Sequence, residues 1–204
     1  MKIIFSIFGL TILAIVTFAI FVVWTENAQF ERNAELADYQ PRTSLDSKVL
    51  VVYFSRSNNT ELMAMEIAKH YDANLIRIYA DKYRIGFRGW INALNDAQTK
   101  HAAITPERMD TSQYETIFIG SPIWWYSPAP PAWQFINNND IAGKNIVLFN
   151  TFNSKFKQEY IEDFKTSTEE KGGMFVKHIY VKRERMGQQI STESLLKKVR
   201  QQIL

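Results

Sequence analysis

The stretch that most constrains this chain is residues 49–71, VLVVYFSRSNNTELMAMEIAKHY. Residues 49–54 form an unbroken apolar run of β-branched and aromatic side chains, the mark of a strand covered on both faces in a parallel sheet. Polar Ser55 to Thr60 follow directly, and then Met63, Ile67 and Tyr71 recur at helical spacing with Ala64 and Ala68 beside them. Strand, short polar loop and helix aim the first free N–H groups of the helix at the space above the strand end. Those donors, with the positive end of the helix dipole, suit an anion. Ser55, Ser57, Asn58, Asn59 and Thr60 supply hydroxyls and amides that donate to phosphate oxygens, and Arg56 lies among them. The same residues also admit a structural reading, with Thr60 as an N-cap and Asn58-Asn59 as a turn. The loop has neither the glycine spacing of a dinucleotide turn nor the Gly-Lys-Ser/Thr of a P-loop.

At 204 residues the chain holds one sizeable domain and an additional segment. It has no cysteine, which excludes disulfides, thiolate catalysis and cysteine-ligated metal. His70, His101 and His178 are far apart, form no ligand motif and read as surface or helix-end residues. A formal charge of +3 is compatible with anionic lipid or an acidic partner. No basic run is interleaved with aromatics, so no nucleic-acid partner is expected.

Residues 3–24 carry no charge, and only Ser6, Gly9, Thr11 and Thr17 interrupt Ile, Leu, Val, Phe, Ala and a final Trp24. A bilayer core takes about 20 apolar helical residues, so residues 1–24 read as a transmembrane anchor. A cleaved signal has a shorter apolar core and small residues before its cleavage site; here Glu26 occupies such a position ahead of Ala28. Trp24 stands where an interfacial aromatic belongs. Lys2 precedes the span, while Glu26, Glu31, Arg32, Glu35 and Asp38 follow it. That balance favours an inside N-terminus, with the domain on the outer side of a bacterial inner membrane. Residues 25–47 read as a linker, in which 28–39 make a short helix ended by Pro41. Residues 48–204 form the folded domain.

Within that domain apolar runs alternate with helical patterns. Residues 74–80 (NLIRIYA) read as a short strand whose Arg77 marks an edge, and 88–103 place Trp90, Ile91 and Leu94 at helical spacing. Residues 115–120 (ETIFIG), 145–150 (NIVLFN) and 174–181 (MFVKHIYV) read as strands. Helices are expected over 130–136, over 159–170 ahead of Gly172-Gly173, and over 191–204 with Leu195, Leu196, Val199 and Ile203 inward. Five strands alternating with helices imply a parallel sheet covered on both faces.

Ligands of such sheets sit beyond the carboxyl ends of the strands. The loops there are 55–60, 120–128 (GSPIWWYSP) and 151–155 (TFNSK). Trp124, Trp125 and Tyr126, flanked by Pro122 and Pro128, cannot all be buried by strand alternation or helical spacing. They offer a flat apolar wall for a planar aromatic ligand. The alternative is that one Trp packs under the loop and the other faces a partner protein or membrane.

SRSNNT at 55–60 resembles the phosphate loop of flavodoxin-like proteins, Ser/Thr-x-Thr/Ser-Gly-Asn-Thr, and GSPIWWYSPAPPAWQFI at 120–136 resembles their flavin-facing loop and following helix. The resemblance runs from Lys48 to the C-terminus. It implies an α/β three-layer sandwich with a five-stranded parallel sheet in order 2-1-3-4-5, and FMN as cofactor. By matching position, Ser55, Ser57, Asn58, Asn59 and Thr60, in one loop with Arg56, would hold the FMN phosphate. Pro122, Ile123, Trp124, Trp125 and Tyr126 would line one side of the isoalloxazine ring, and Thr151, Phe152, Asn153 and Ser154 would approach the other. Asn58 replaces the usual Gly; Asn tolerates a left-handed backbone better than most residues. TFNSKF lacks the small Gly/Ser run common among relatives. Arg77, Lys82, Arg84 and Arg88, with Lys182, Arg183 and Arg185, make this chain basic where soluble flavodoxins tend to be acidic.

The resemblance implies a membrane-anchored FMN redox protein, either an electron carrier or an NAD(P)H- or quinone-linked oxidoreductase. Its partners would be the bilayer, through residues 3–24, and a redox protein, NAD(P)H or a quinone. The flavin ring carries the electrons and the protein sets geometry and potential, so no catalytic acid or base is expected. A pocket with no nearby cation would lower the potential of the ring. Asn58 and the altered third loop motivate the alternative, a cofactor-less binding module gripping a protein or lipid through Trp124 and Trp125. A hydrolase is disfavoured because no Ser-His-Asp or paired-carboxylate arrangement falls at strand ends.

Overall fold

The protein is described here by a computed structural model covering residues 2–36, 44–185 and 188–203. Helix α1 (Lys2–Glu35) precedes β1 (Val49–Tyr53), α2 (Asn59–Tyr71) and β2 (Asn74–Arg77). A 3₁₀ turn at Asp81–Tyr83 leads to α3 (Phe87–Asp96) and β3 (Thr116–Trp124). Then come β4 (Ser127–Pro128), α4 (Pro130–Asn138), β5 (Asn145–Phe152), α5 (Gln158–Glu170), β6 (Met174–Lys182) and α6 (Thr192–Ile203). The long strands lie in the order β2-β1-β3-β5-β6, all parallel, and two-residue β4 folds back antiparallel on β3. Without β4 that is the 2-1-3-4-5 order which the family resemblance implied.

Strand alternation divides the core into two layers. Leu50, Val52, Ile117, Ile119, Ile146 and Leu148 face α3, α4 and α5, where Ala93, Trp133, Phe135, Ile136 and Phe164 meet them. Val51, Tyr53, Phe118, Val147 and Phe149 face Met63 and Ile67 of α2 and Leu195 and Val199 of α6. Each side chain in these runs thus has a helix to cover it, which is why the runs carry no polar alternation. The register leaves one close approach. Gly120 lies opposite Phe149, and a Cβ at Gly120 would stand 2.0 Å from that ring.

Three elements differ from the sequence-based expectation. Strand β3 continues past Gly120 to Trp124, because Ser121 and Pro122 still pair with Asn150 and Thr151 before the chain turns into β4. Helix α3 ends at Asp96 rather than near 103, since Thr105 is drawn into a two-bond bridge with Tyr79 beyond the end of β2. The largest departure is α1. Residues 25–35, the start of the expected linker, continue the apolar helix without a break, while 37–43, with the expected stop at Pro41, lie outside the described residues. From Ile7 to Trp24 its large apolar side chains are mostly exposed, and from Ile7 it is long and apolar enough to cross a bilayer. From Val22 onward one helical face is covered, and Val22, Glu26, Gln29 and Asn33 recur on it and are all buried.

His178 also departs from expectation. It sits inside β6, with its Nε2 2.8 Å from Asn150 Oδ1 and its ring against Phe156 and Tyr180. Burial pushes its pKa down to about 4. The folded state therefore binds fewer protons than the unfolded chain below the ordinary histidine value of about 6.5. Its contribution is present above that pH and is lost as pH falls toward 4. Denaturant unfolding between pH 7 and 4 should show a loss of roughly 2–3 kcal/mol from this group; His178→Gln should remove that slope. Gly120→Ala should lower stability by about 1–3 kcal/mol through overpacking, and Phe149→Leu in the same chain should recover part of the loss in urea titrations.

Candidate functional site

The three loops converge beyond the carboxyl ends of β1, β3 and β5 around a cavity of about 490 Å³. Every site residue singled out in the sequence borders it except Asn58. Asn58 holds the left-handed turn, with φ at 60°, but its side chain points away from the cavity. Its Nδ2 donates to Phe30 O at 3.3 Å, and its Oδ1 accepts from Arg77 Nη2 at 3.1 Å. Arg77 ends the edge strand β2, also donates to Ser55 O at 3.0 Å and pairs with Glu61.

The turn places α2 with its axis starting at the cavity. No side chain caps this helix, and the first amide to bond inside it is that of Leu62, to Asn58 O at 3.1 Å. The amides of Asn59, Thr60 and Glu61 in the first turn are therefore available to an anion. Thr60 is inside the helix rather than its N-cap. Its Oγ1 lies 2.8 Å from Thr151 Oγ1, which ties the first loop to the third.

The polar end is braced from behind. Asn59 Oδ1 accepts from Gln29 Nε2 at 3.2 Å, Asn33 Nδ2 at 3.0 Å and Arg183 Nε at 3.1 Å. Arg56 forms a two-pronged ion pair with Glu26 at 2.9 and 2.8 Å, and its Nε donates to Tyr83 O at 2.9 Å. Arg183, counted in the sequence among the residues that make the chain basic, is 5% exposed. Its remaining donors go to Ile190 O and Thr192 Oγ1, and no carboxylate among the described residues pairs with it. Burial and the charge of Arg32 pull its pKa below the ordinary arginine value, yet a guanidinium keeps its proton. The result is a positive charge directly behind Asn59 that no carboxylate among the described residues compensates.

The other end is aromatic. Trp124 packs edge-on against Phe54 and Tyr83, with ring centroids 5.6 and 5.1 Å apart. Trp125 is 59% exposed at the rim. So the two tryptophans divide the work: one is built into the wall and the other is presented. Trp125 and Tyr126 are the central residues of the β3–β4 hairpin, with φ at 41° and 78°. Positive φ at both positions normally selects Asn-Gly, and a bulky residue held there costs of order 1–3 kcal/mol. Lys155 borders the cavity, with its Nζ 5.5 Å from the Tyr126 ring centre. The condition of a pocket with no nearby cation is therefore not met.

Sequence reasoning missed Glu26, Gln29, Asn33 and Arg183 because each is polar in a segment without an apolar core pattern. For the first three, helical spacing continuous with Val22 was the available signal.

Fold and cavity together define a three-layer α/β protein with a cavity at the carboxyl rim of its sheet, donor-rich at one end and aromatic at the other. Residues 48–191 match the flavodoxin family model, and the chain belongs to the flavodoxin family. No curated protein sequence matches it. Among solved structures it is similar to a protein of Bacteroides uniformis assigned as a flavoprotein, at 23% identity and a TM-score of 0.58 over 76% of this chain and 98% of that one. It is also similar to a Lactobacillus acidophilus flavoprotein solved in complex with FMN, at 23% identity and a TM-score of 0.53 over 66% of this chain and 93% of that one. Likeness at this identity shows the fold.

Replacing Trp125 and Tyr126 together by Asn and Gly should relieve the turn and stabilise the ligand-free protein by about 1–2 kcal/mol in denaturant titrations. A loss of stability would mean that the rings, not the backbone, set the balance there.

Proposed function

We propose that this flavodoxin is a membrane-anchored redox protein that holds FMN in the cavity between residues 55–60, 120–126 and 151–155. The observation that carries the reading is the pairing of an uncapped helix start with a flat aromatic wall in one cavity. Its volume of about 490 Å³ lies within the usual range for small-molecule sites. The residues fit the group. The amides of Asn59, Thr60 and Glu61, with Ser55, Ser57 and Thr60 hydroxyls, would hold the phosphate, and Arg183, with no carboxylate partner among the described residues, supplies charge behind it. Trp124, Trp125 and Tyr126 cover one side of the ring, and Thr151, Phe152, Asn153 and Ser154 approach the other.

FMN, when bound, supplies one- or two-electron chemistry. The chain fixes the ring, excludes water with Phe152 and Trp124, and places the Lys155 ammonium at the rim, where it favours negative charge. Arg56 is already neutralised by Glu26 and shapes the loop rather than binding phosphate. The exposed ring of Trp125 faces the electron partner, a redox protein, NAD(P)H or a quinone. The apolar part of α1 anchors the protein in the bilayer.

Full-length protein purified in detergent should be yellow and carry about one FMN per chain. Ser57→Asp puts a negative charge beside the start of α2, where it suits the helix but opposes a phosphate. It should weaken FMN binding at least 100-fold without lowering the melting temperature. Colourless wild-type protein that leaves FMN fluorescence unquenched would overturn the proposal and favour a cofactor-less binding module.

A further inference from the structure

The geometry points to the membrane helix itself as a working wall of the FMN site: the last turns of α1 hold the phosphate loop in its binding form, so that anchoring and cofactor affinity are thermodynamically linked. This rests on the FMN reading above. Glu26 and Gln29 border the cavity. Four consecutive loop residues are each bonded to α1, while Arg56, Asn58 and Asn59 also have partners in Tyr83, Arg77 and Arg183 respectively. The Arg56 guanidinium is clasped by Glu26, both side chains 8% exposed. Ser57 O accepts from Asn33 Nδ2 at 2.7 Å. Asn58 Nδ2 donates to Phe30 O, and Asn59 Oδ1 accepts from Gln29 and Asn33.

These bonds act on the loop backbone and on the side chains that orient it, and none of them supplies a phosphate ligand. They are polar, directional and largely buried, so a shift of α1 by one turn would break all of them at once. Polar groups in contact with a membrane-exit helix would ordinarily be solvated; here they are spent on a single loop of another element. Ordering that loop in advance spares the ligand the cost of doing so, which raises affinity. By reciprocity, any ligand that prefers the ordered loop must strengthen the docking of α1 by the same factor.

Asn33→Leu keeps the size and burial of the side chain while deleting both donors and changing no charge. In full-length protein reconstituted in lipid nanodiscs, FMN titration followed by flavin fluorescence should give a dissociation constant 10- to 100-fold above wild type. A second measurement needs no variant. Hydrogen exchange of the wild-type peptide covering residues 25–36 should slow when FMN is added, while exchange in α5, remote from the cavity, stays unchanged. Wild type that fails to bind FMN sinks the functional reading. Wild type that binds FMN, with Asn33→Leu within twofold of it or with exchange of 25–36 indifferent to FMN, sinks the linkage and leaves the functional reading standing.

Discussion

The site is organised around one carbonyl oxygen, Asn59 Oδ1. Donors from α1 reach it twice, and Arg183 reaches it from beyond the last strand. Segments from both ends of the chain are thus pinned to the first turn of α2. With its oxygen saturated by donors, the Asn59 amide is held in one orientation, and the uncapped turn above it cannot relax toward an alternative cap. A conventional N-cap would have satisfied the same backbone amides; their freedom is what makes the helix start useful to an anion.

At the aromatic end the same economy takes a different form. The turn that presents Trp125 and Tyr126 holds both in a backbone region suited to Asn and Gly. The surrounding structure holds it there: Ile123 and Trp124 pair with β4, Trp124 is clamped between Phe54 and Tyr83, and Tyr126 O accepts from Lys157 N. Strain retained at a cavity rim and braced on every side is characteristic of sites where geometry is set for a ligand.

The sheet and the loops that meet above it were legible in the sequence because they rest on local signals, while the strand order came from the family resemblance. An apolar run covered on both faces, a following helical period and a loop at the strand end are all read within about twenty residues. Asn58 was legible for the same reason, since a single backbone angle decides which residues it admits. What escaped was decided by partners remote in sequence. Glu26 and Arg56 lie thirty positions apart, and Arg183 and Asn59 lie 124 apart. A polar residue looks solvated until its partner is known, so the stretch after Trp24 read as a tether and Arg183 as one more basic residue. The unequal fates of Trp124 and Trp125 depended on a hairpin whose two-residue return strand, Ser127–Pro128, is too short to announce itself.

One consequence of the unbroken α1 concerns height. An α-helix rises 1.5 Å per residue, so Gln29, at the cavity, stands only about 8 Å along the axis beyond Trp24. Phe18, further down, already touches Trp90 of α3. With the apolar segment in lipid, the pocket cannot swing free on a leash. On the proposed anchoring it would stand at the headgroup layer at a fixed altitude, and a membrane-bound electron partner would meet it in that plane.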